Sequence, residues 1–142
     1  MATTRSATTH WEGSLMDGAG RVTLESSGIG TFDVNWPSRA ESANGKTSPE
    51  ELIAAAHSTC FSMSLSLALT KGGNPPTSVD TRADVTFQPG TGITGIKLTA
   101  RAVVPGITAE QFEQAAQEAE ASCPVSRALA GTTITVEASL DQ

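Results

Sequence analysis

SPEELIAAAHSTCFSMSLSLALTKGG, residues 48 to 73, decides how this chain folds, because it carries no charged residue between Leu52 and Leu69 and its period is ambiguous. Ser48 can cap a helix, Pro49 suits the first helical position, and Glu51 stands at the capping-box position. Glu50 and Glu51 add negative charge at the positive end of the helix dipole. From Phe61 to Leu69, however, large and small residues alternate as they would in a strand. Serine is a poor strand former and the Ala54 to Ala56 triplet favours helix. The reading is a helix from Pro49 to about Lys71, with a break near Cys60 left open, ended by Gly72-Gly73 ahead of Pro75-Pro76. The run is long enough to raise the bilayer question, but His57, Ser58, Thr59, Ser62, Ser64 and Ser66 interrupt it and it stands alone. A buried core helix is the expectation, with no membrane.

Before this helix, Arg21 to Trp36 reads as two short β-rich pieces around Ser26, Ser27 and Gly28, and Asn35 to Thr47 as a polar loop with Pro37, Asn44 and Gly45 as breakers. After it, Val79–Phe87 and Ile93–Val104 alternate as strands joined by a hairpin at residues 88–92. Thr108 can cap a helix from Ala109 to about Ala121, which Cys123-Pro124 closes. A helical turn from Val125 to Leu129 and a last strand from Thr132 to Ala138 complete the order ββ, α, ββ, α, β. That order is α+β, not alternating βαβ.

The 142 residues, 38% hydrophobic and 17% charged, suit one globular domain over 1–142 with a real core. Order is expected throughout, apart from the Ser/Thr-rich Met1 to Thr9. A net charge of −6 removes the basic footprint that nucleic acid requires. Met1 to Thr9 has no apolar core of a secretory signal, and only two cysteines are present, which points to a reducing, cytoplasmic setting with free or redox-active thiols.

A cysteine on an apolar helix is most often packing, so Cys60 needs neighbours to mean more. At neutral pH an ordinary thiol is only a few per cent thiolate, and the thiolate is the nucleophile. Arg39 and Lys46 lie in the loop before the helix, and an arginine can hold a sulfur ionised while staying charged itself. A carboxylate such as Glu50 would orient it. One continuous helix, however, would separate Glu50 from Cys60 by about 15 Å along its axis. A joint site then needs a broken helix or a second subunit. Cys123 reads either as a helix-ending residue before a proline or as a resolving thiol that attacks a sulfenic acid on Cys60.

Three segments, SRAES at 38–42, KTSPEELIAAAHSTCFSMSLS at 46–66 and CPVSRAL at 123–129, resemble the OsmC/Ohr family of thiol peroxidases, on the OsmC side. The resemblance covers nearly the whole chain. It implies an intertwined α+β homodimer, with antiparallel β-sheets packed around two long central buried helices and two sites at the subunit interface. It also implies cysteine-based reduction of organic hydroperoxides, and more weakly of hydrogen peroxide, without metal or bound cofactor, recycled by an external dithiol of lipoyl or similar type. Cys60 then matches the peroxidatic cysteine, Cys123 the resolving one, Arg39 the arginine and Glu50 the carboxylate, with Arg21 as rival for the arginine. Leu52, Phe61 and Met63 are expected to receive an alkyl chain. The alternative is a non-enzymatic thiol redox sensor or a module binding a small apolar ligand.

Other signals carry less. Gly90, Gly92 and Gly95 satisfy G-x-G-x-x-G but join strands and do not open a helix, so hairpin glycines are the better reading. His57 could contribute to a zinc site with Cys123 and a further ligand, but is better read as a hydrogen-bonded core residue. No G-x-S-x-G elbow surrounds the serines, which disfavours a serine hydrolase.

Overall fold

The strand-rich beginning is a three-stranded antiparallel sheet. In the computed structural model, which describes residues 1–141, β1 (Thr8–Glu12), β2 (Ala19–Thr23) and β3 (Thr31–Val34) pair in the order β1-β2-β3. The expected hairpin is the β2–β3 pair, in which Arg21 faces Asp33. The sequence reading missed β1, because its polar Thr-Thr-His run shows no apolar alternation. It pairs along β2 from Thr8 opposite Thr23 to Glu12 opposite Ala19, so order begins before Thr9. Gly20 of β2 has a definite role here, since a Cβ there would lie 2.7 Å from the Trp11 ring and 2.8 Å from the His10 carbonyl oxygen.

The expected polar loop contains a short helix, α1 (Trp36–Ala40). Its start is a capping box: the Asn35 side chain accepts from the Ser38 N–H at 2.8 Å, and the Ser38 hydroxyl oxygen accepts from the Asn35 N–H at 3.2 Å. Pro37 fits the first turn. The Asn-x-x-Ser spacing was the signal that this piece was not loop.

Next comes α2 (Pro49–Lys71), 23 residues without interruption. Its start differs from the expected box in one respect. The Ser48 hydroxyl does accept from the Glu51 N–H at 3.1 Å, but the Glu51 carboxylate accepts instead from the Thr47 hydroxyl at 2.6 Å. The alternation that suggested a strand has a helical cause. His57, Phe61, Leu65 and Leu69 recur every fourth residue and are buried on one face, while Met63 and Leu67 fall on another and are 69% and 54% exposed. Ser62, between two buried residues of this row, donates to the Ser58 carbonyl at 2.8 Å and meets the Thr81 hydroxyl at 2.6 Å. By length and composition alone α2 could cross a membrane; its buried row is instead part of the protein core.

Contacts divide the chain into two compact units, Met1–Leu52 and a second beginning at Ile53. In the second, β4 (Ser78–Gln88) and β5 (Gly92–Val103) form the expected antiparallel pair, with a register shift between Thr86 and Phe87. The turn between them needs Gly90 and Gly92 at φ 86° and 113°, a region costly for any side chain, which accounts for the G-x-G pattern. α3 (Ala109–Ser122) starts with Thr108 and Gln111 in a capping box, and α4 (Pro124–Ala128) follows at once, with Cys123 closing one helix and opening the other. β6 (Ile134–Leu140) then pairs with β5 in parallel, not antiparallel as expected for all strands. The physical reason is the α3–α4 connection, long enough to return the chain to the same end of the sheet. The order is β4-β5-β6.

The core lies where Phe61, Leu65 and Leu69 of α2 meet Ile96, Leu98, Ala100 and Ala102 of β5, closed by Phe112, Ala116 and Ala119 of α3. β5 buries every second residue, and the small Ala100 and Ala102 leave room for the larger side chains. The architecture is α+β, with one antiparallel and one mixed sheet.

Candidate active site

The four residues singled out from the sequence meet in two pairs, one in each unit. In the first unit, Arg39 is in the last turn of α1 and Glu50 in the first turn of α2. The guanidinium grips the carboxylate with two nitrogens: Nε donates to Oε1 and Oε2 at 3.1 and 3.2 Å, and NH2 donates to Oε2 at 2.9 Å. Glu50 is nearly buried and Arg39 is about one-third exposed. A fork of this kind holds both planes in fixed orientation and leaves the outer edge of the guanidinium directed by the carboxylate. The rival, Arg21, is itself exposed on β2, with a 3.6 Å contact to Asp33. Arg39 has the shorter, two-nitrogen contact with its carboxylate, and Arg21 the longer and more exposed one.

Arg39 also lines a cavity of about 370 Å³ whose walls include Trp11, Leu15, Val22, Val34 and Trp36. One guanidinium at the edge of an apolar hollow suits a ligand with a greasy body and a polar end. No sequence pattern connected Trp11 and Trp36 with a cavity; β1, which brings Trp11, was the missing element. Of the residues expected to receive an alkyl chain, Leu52 lines this cavity. Phe61 does not serve that purpose, being fully buried among the core residues, and Met63 lies on the exposed face of α2.

In the second unit, Cys60 at the middle of α2 is half-buried and Cys123 at the α3–α4 junction is fully buried. Both are free thiols. They stand 63 positions apart in the chain, yet the fold brings the sulfurs close enough for each to act on the other's ionisation. Burial pushes the Cys60 thiol up, and the neighbouring Cys123 pushes it further, against the opposing pull of the Val125 N–H and the Ser64 hydroxyl. Cys123 behaves differently. Burial acts upward on it too, but the Ser126 N–H, the Cys60 thiol, the Ser126 hydroxyl and the Val125 N–H outweigh that and hold it below the usual thiol range. Val125 and Ser126 are at the start of α4, where backbone N–H groups lack helical partners and face the sulfur without closing a regular side-chain cap.

His57 is the core residue the sequence suggested. It is fully buried, and its Nε2 is 2.6 Å from the Ser126 hydroxyl. Burial lowers its pKa, which favours the neutral ring. Among the described residues, no three His, Cys, Asp or Glu side chains gather as a metal site would need. His10 instead contacts Glu12 on exposed β1 at 3.1 Å.

The two pairs differ in what they can do chemically. A bidentate arginine can stabilise negative charge on a sulfur or on a departing oxygen. Adjacent thiols can exchange an oxidised sulfur for a disulfide. Glu50 and Cys60 share one unbroken helix, ten positions apart, which is about 15 Å of axial rise.

Residues 42–139 match a family model described as OsmC-like protein. The chain is 46% identical over 123 residues to Peroxiredoxin OsmC of Escherichia coli K12, a match covering 84% of this chain and 85% of that relative. Among solved structures, it is similar to an organic hydroperoxide resistance protein OsmC from Legionella pneumophila, at a TM-score of 0.70 and 23% identity over 100% of this chain and 99% of that one. It is also similar to an organic hydroperoxide resistance protein from Elizabethkingia anophelis, at a TM-score of 0.69 and 26% identity over 100% and 98% of the two chains.

Proposed function

The chain belongs to the OsmC family, and on that premise we propose that it is a cysteine-based peroxidase acting on organic hydroperoxides, and more weakly on hydrogen peroxide. The observation that carries this reading is the meeting of Cys60 and Cys123, two unlinked thiols brought together from distant parts of the chain.

The Cys60 thiolate attacks the distal oxygen of the hydroperoxide. An S–O bond forms, the O–O bond breaks, and the alkoxide leaves as alcohol after taking up a proton, so that Cys60 becomes a sulfenic acid. Cys123 then attacks the Cys60 sulfur, the S–S bond forms, and the oxygen leaves as hydroxide and becomes water. An external dithiol reduces the disulfide and is itself oxidised. Alkyl substrates are favoured over hydrogen peroxide because an apolar hollow next to Arg39 gains from burying a chain.

Cys60 needs a cation, since burial disfavours its thiolate and, among the described residues, those acting on its ionisation include none. Arg39, oriented by Glu50, supplies it from a second copy of the chain. Two features support this assembly. The helix is unbroken, so its own Glu50 is a long axial distance from Cys60. Met63 and Leu67 form a second apolar face of α2, and a helix apolar on two sides calls for cover on both.

The test is peroxide consumption by the full chain with a dithiol present, comparing tert-butyl hydroperoxide with hydrogen peroxide. Many turnovers per chain and a higher kcat/KM for the alkyl substrate are expected. Oxidation that stops at one equivalent per chain overturns the enzymatic reading in favour of a redox sensor.

A further inference from the structure

His57 and Ser126 take no part in the steps above, yet they are a fully buried imidazole and a buried hydroxyl at 2.6 Å, next to the resolving sulfur. Burying two polar side chains in a core where apolar residues would serve needs a reason. Local capping does not supply one. Ser126 is the third residue of α4, the position from which a side chain reaches back to the capping residue, here Cys123. The Cys123 N–H is already committed, donating to the Ala119 carbonyl at 2.8 Å. The hydroxyl is thus available to the Cys123 sulfur, on which it acts.

The tautomer follows from the cost of unpaired groups. His57 Nδ1 is buried with no hydrogen-bond partner among the described residues. A buried lone pair is tolerated more readily than a buried N–H, so the proton belongs on Nε2. Nε2–H then donates to the Ser126 oxygen, and the one hydroxyl proton is directed away from the ring.

We propose that His57 and Ser126 are positioning residues for the second thiol step: His57 Nε2–H fixes the Ser126 hydroxyl so that its proton points at the Cys123 sulfur and holds it ready as a nucleophile. This rests on the resolving role given to Cys123 above. In the step itself, Cys123 S⁻ attacks the Cys60 sulfenic sulfur, S–S forms, S–O breaks, and hydroxide leaves to become water. The Ser126 bond is strongest before the attack, when charge is on Cys123, and weakens as the charge moves to the departing oxygen. Among the described residues, the titratable groups facing Cys123 are Cys60 from α2 and, through Ser126, His57 from the same helix. Arg127 of α4 is exposed.

Reduced full-length protein is mixed with one equivalent of tert-butyl hydroperoxide across a range of pH, with quenched mass spectrometry separating sulfenic acid from disulfide. In Ser126→Ala, disulfide formation at neutral pH is expected to slow about tenfold, the effect of one hydrogen bond to an anion. The midpoint of its pH profile moves up, and the rates converge in alkali. Formation of the Cys60 sulfenic acid keeps its rate. Ser126→Thr, which retains the hydroxyl, restores the profile; His57→Leu reproduces the defect and His57→Gln, which keeps an N–H donor, restores part of it. An unchanged pH profile in Ser126→Ala overturns the proposal, as does equal slowing of both steps. Should His57→Leu fail to fold, the serine variants still decide. Failure of the underlying reading shows itself separately, as absence of any disulfide in the unaltered protein, and takes the proposal with it.

Discussion

The Arg39–Glu50 pair and the Cys60–Cys123 pair are assembled by opposite means. The first joins residues 11 positions apart at the start of a helix, with opposite charges that satisfy each other through three short contacts. The second joins residues 63 positions apart, depends on the packing of α2, α3 and α4, and brings together two thiols of which Cys123 disfavours the ionisation of Cys60 while Cys60 favours that of Cys123. A pair of opposite charges is settled once formed; a pair of thiols in a core is poised, and a change in its surroundings alters which sulfur carries charge. The chemistry proposed here belongs to the poised pair and the control to the settled one.

The strongest way to break that contrast is Cys60→Ser, which is expected to reduce peroxide consumption to that of a protein-free control, measured with dithiol in excess. Retained turnover would transfer the chemistry elsewhere. Next in size, Arg39→Ala is expected to slow Cys60 oxidation about a hundredfold, the usual cost of losing one stabilising donor at a reacting centre. Refolding equal amounts of Arg39→Ala and Cys60→Ser together sharpens the point. If the guanidinium acts across a dimer, mixed pairs each regain one site and activity returns to about a quarter of wild type. No recovery would mean that each chain uses its own arginine.

A third experiment addresses the helix that carries Cys60. Phe61→Ala, in the buried row of α2, is expected to lower unfolding stability by about 3–5 kcal/mol in urea titrations, whereas Met63→Ala should cost about 1 kcal/mol or less of chain stability and weaken self-association instead. Equal losses would sink the distinction between the two faces. The smallest effect concerns His57. Its pKa is lowered in the folded state, so the unfolded chain binds the proton more readily. Its contribution to stability is fully present above about pH 6.5 and declines as pH falls through and below that value. His57→Gln should flatten this part of the curve, and a stability that rises on acidification from pH 6.5 in the wild type but not in the variant would reverse the assigned sign.

Much of this was legible in the sequence, and what was not has physical causes. The bounds of α2 could be read because capping, charge and glycine all act within a few residues of its ends. Arg39 with Glu50 could be named from the resemblance, and their fork is local. α1 was overlooked because a five-residue helix buries too little to leave a period, so only its Asn35–Ser38 box announced it. β1 carries an all-exposed polar run, and pairing with β2, not composition, makes it a strand. Phe61 could not be separated from Met63 in the sequence because adjacency does not choose a face: the two are two apart, and on the helix Phe61 is buried in the core while Met63 is exposed. The link from His57 to Ser126 spans 69 positions, and no local pattern connects them.

The parallel seating of β6 beside β5 has a consequence for the order of events during synthesis. A parallel neighbour cannot be reached through a tight turn, so the chain must complete the whole α3–α4 excursion before that edge of the sheet closes. Contacts of such wide separation form late, after the entropy of a long loop has been surrendered. Cys123 rides on this excursion, so the nascent polypeptide is expected to keep its two sulfurs apart until the last strand docks. Competence for disulfide chemistry would thus arrive with completion of the sheet and not before.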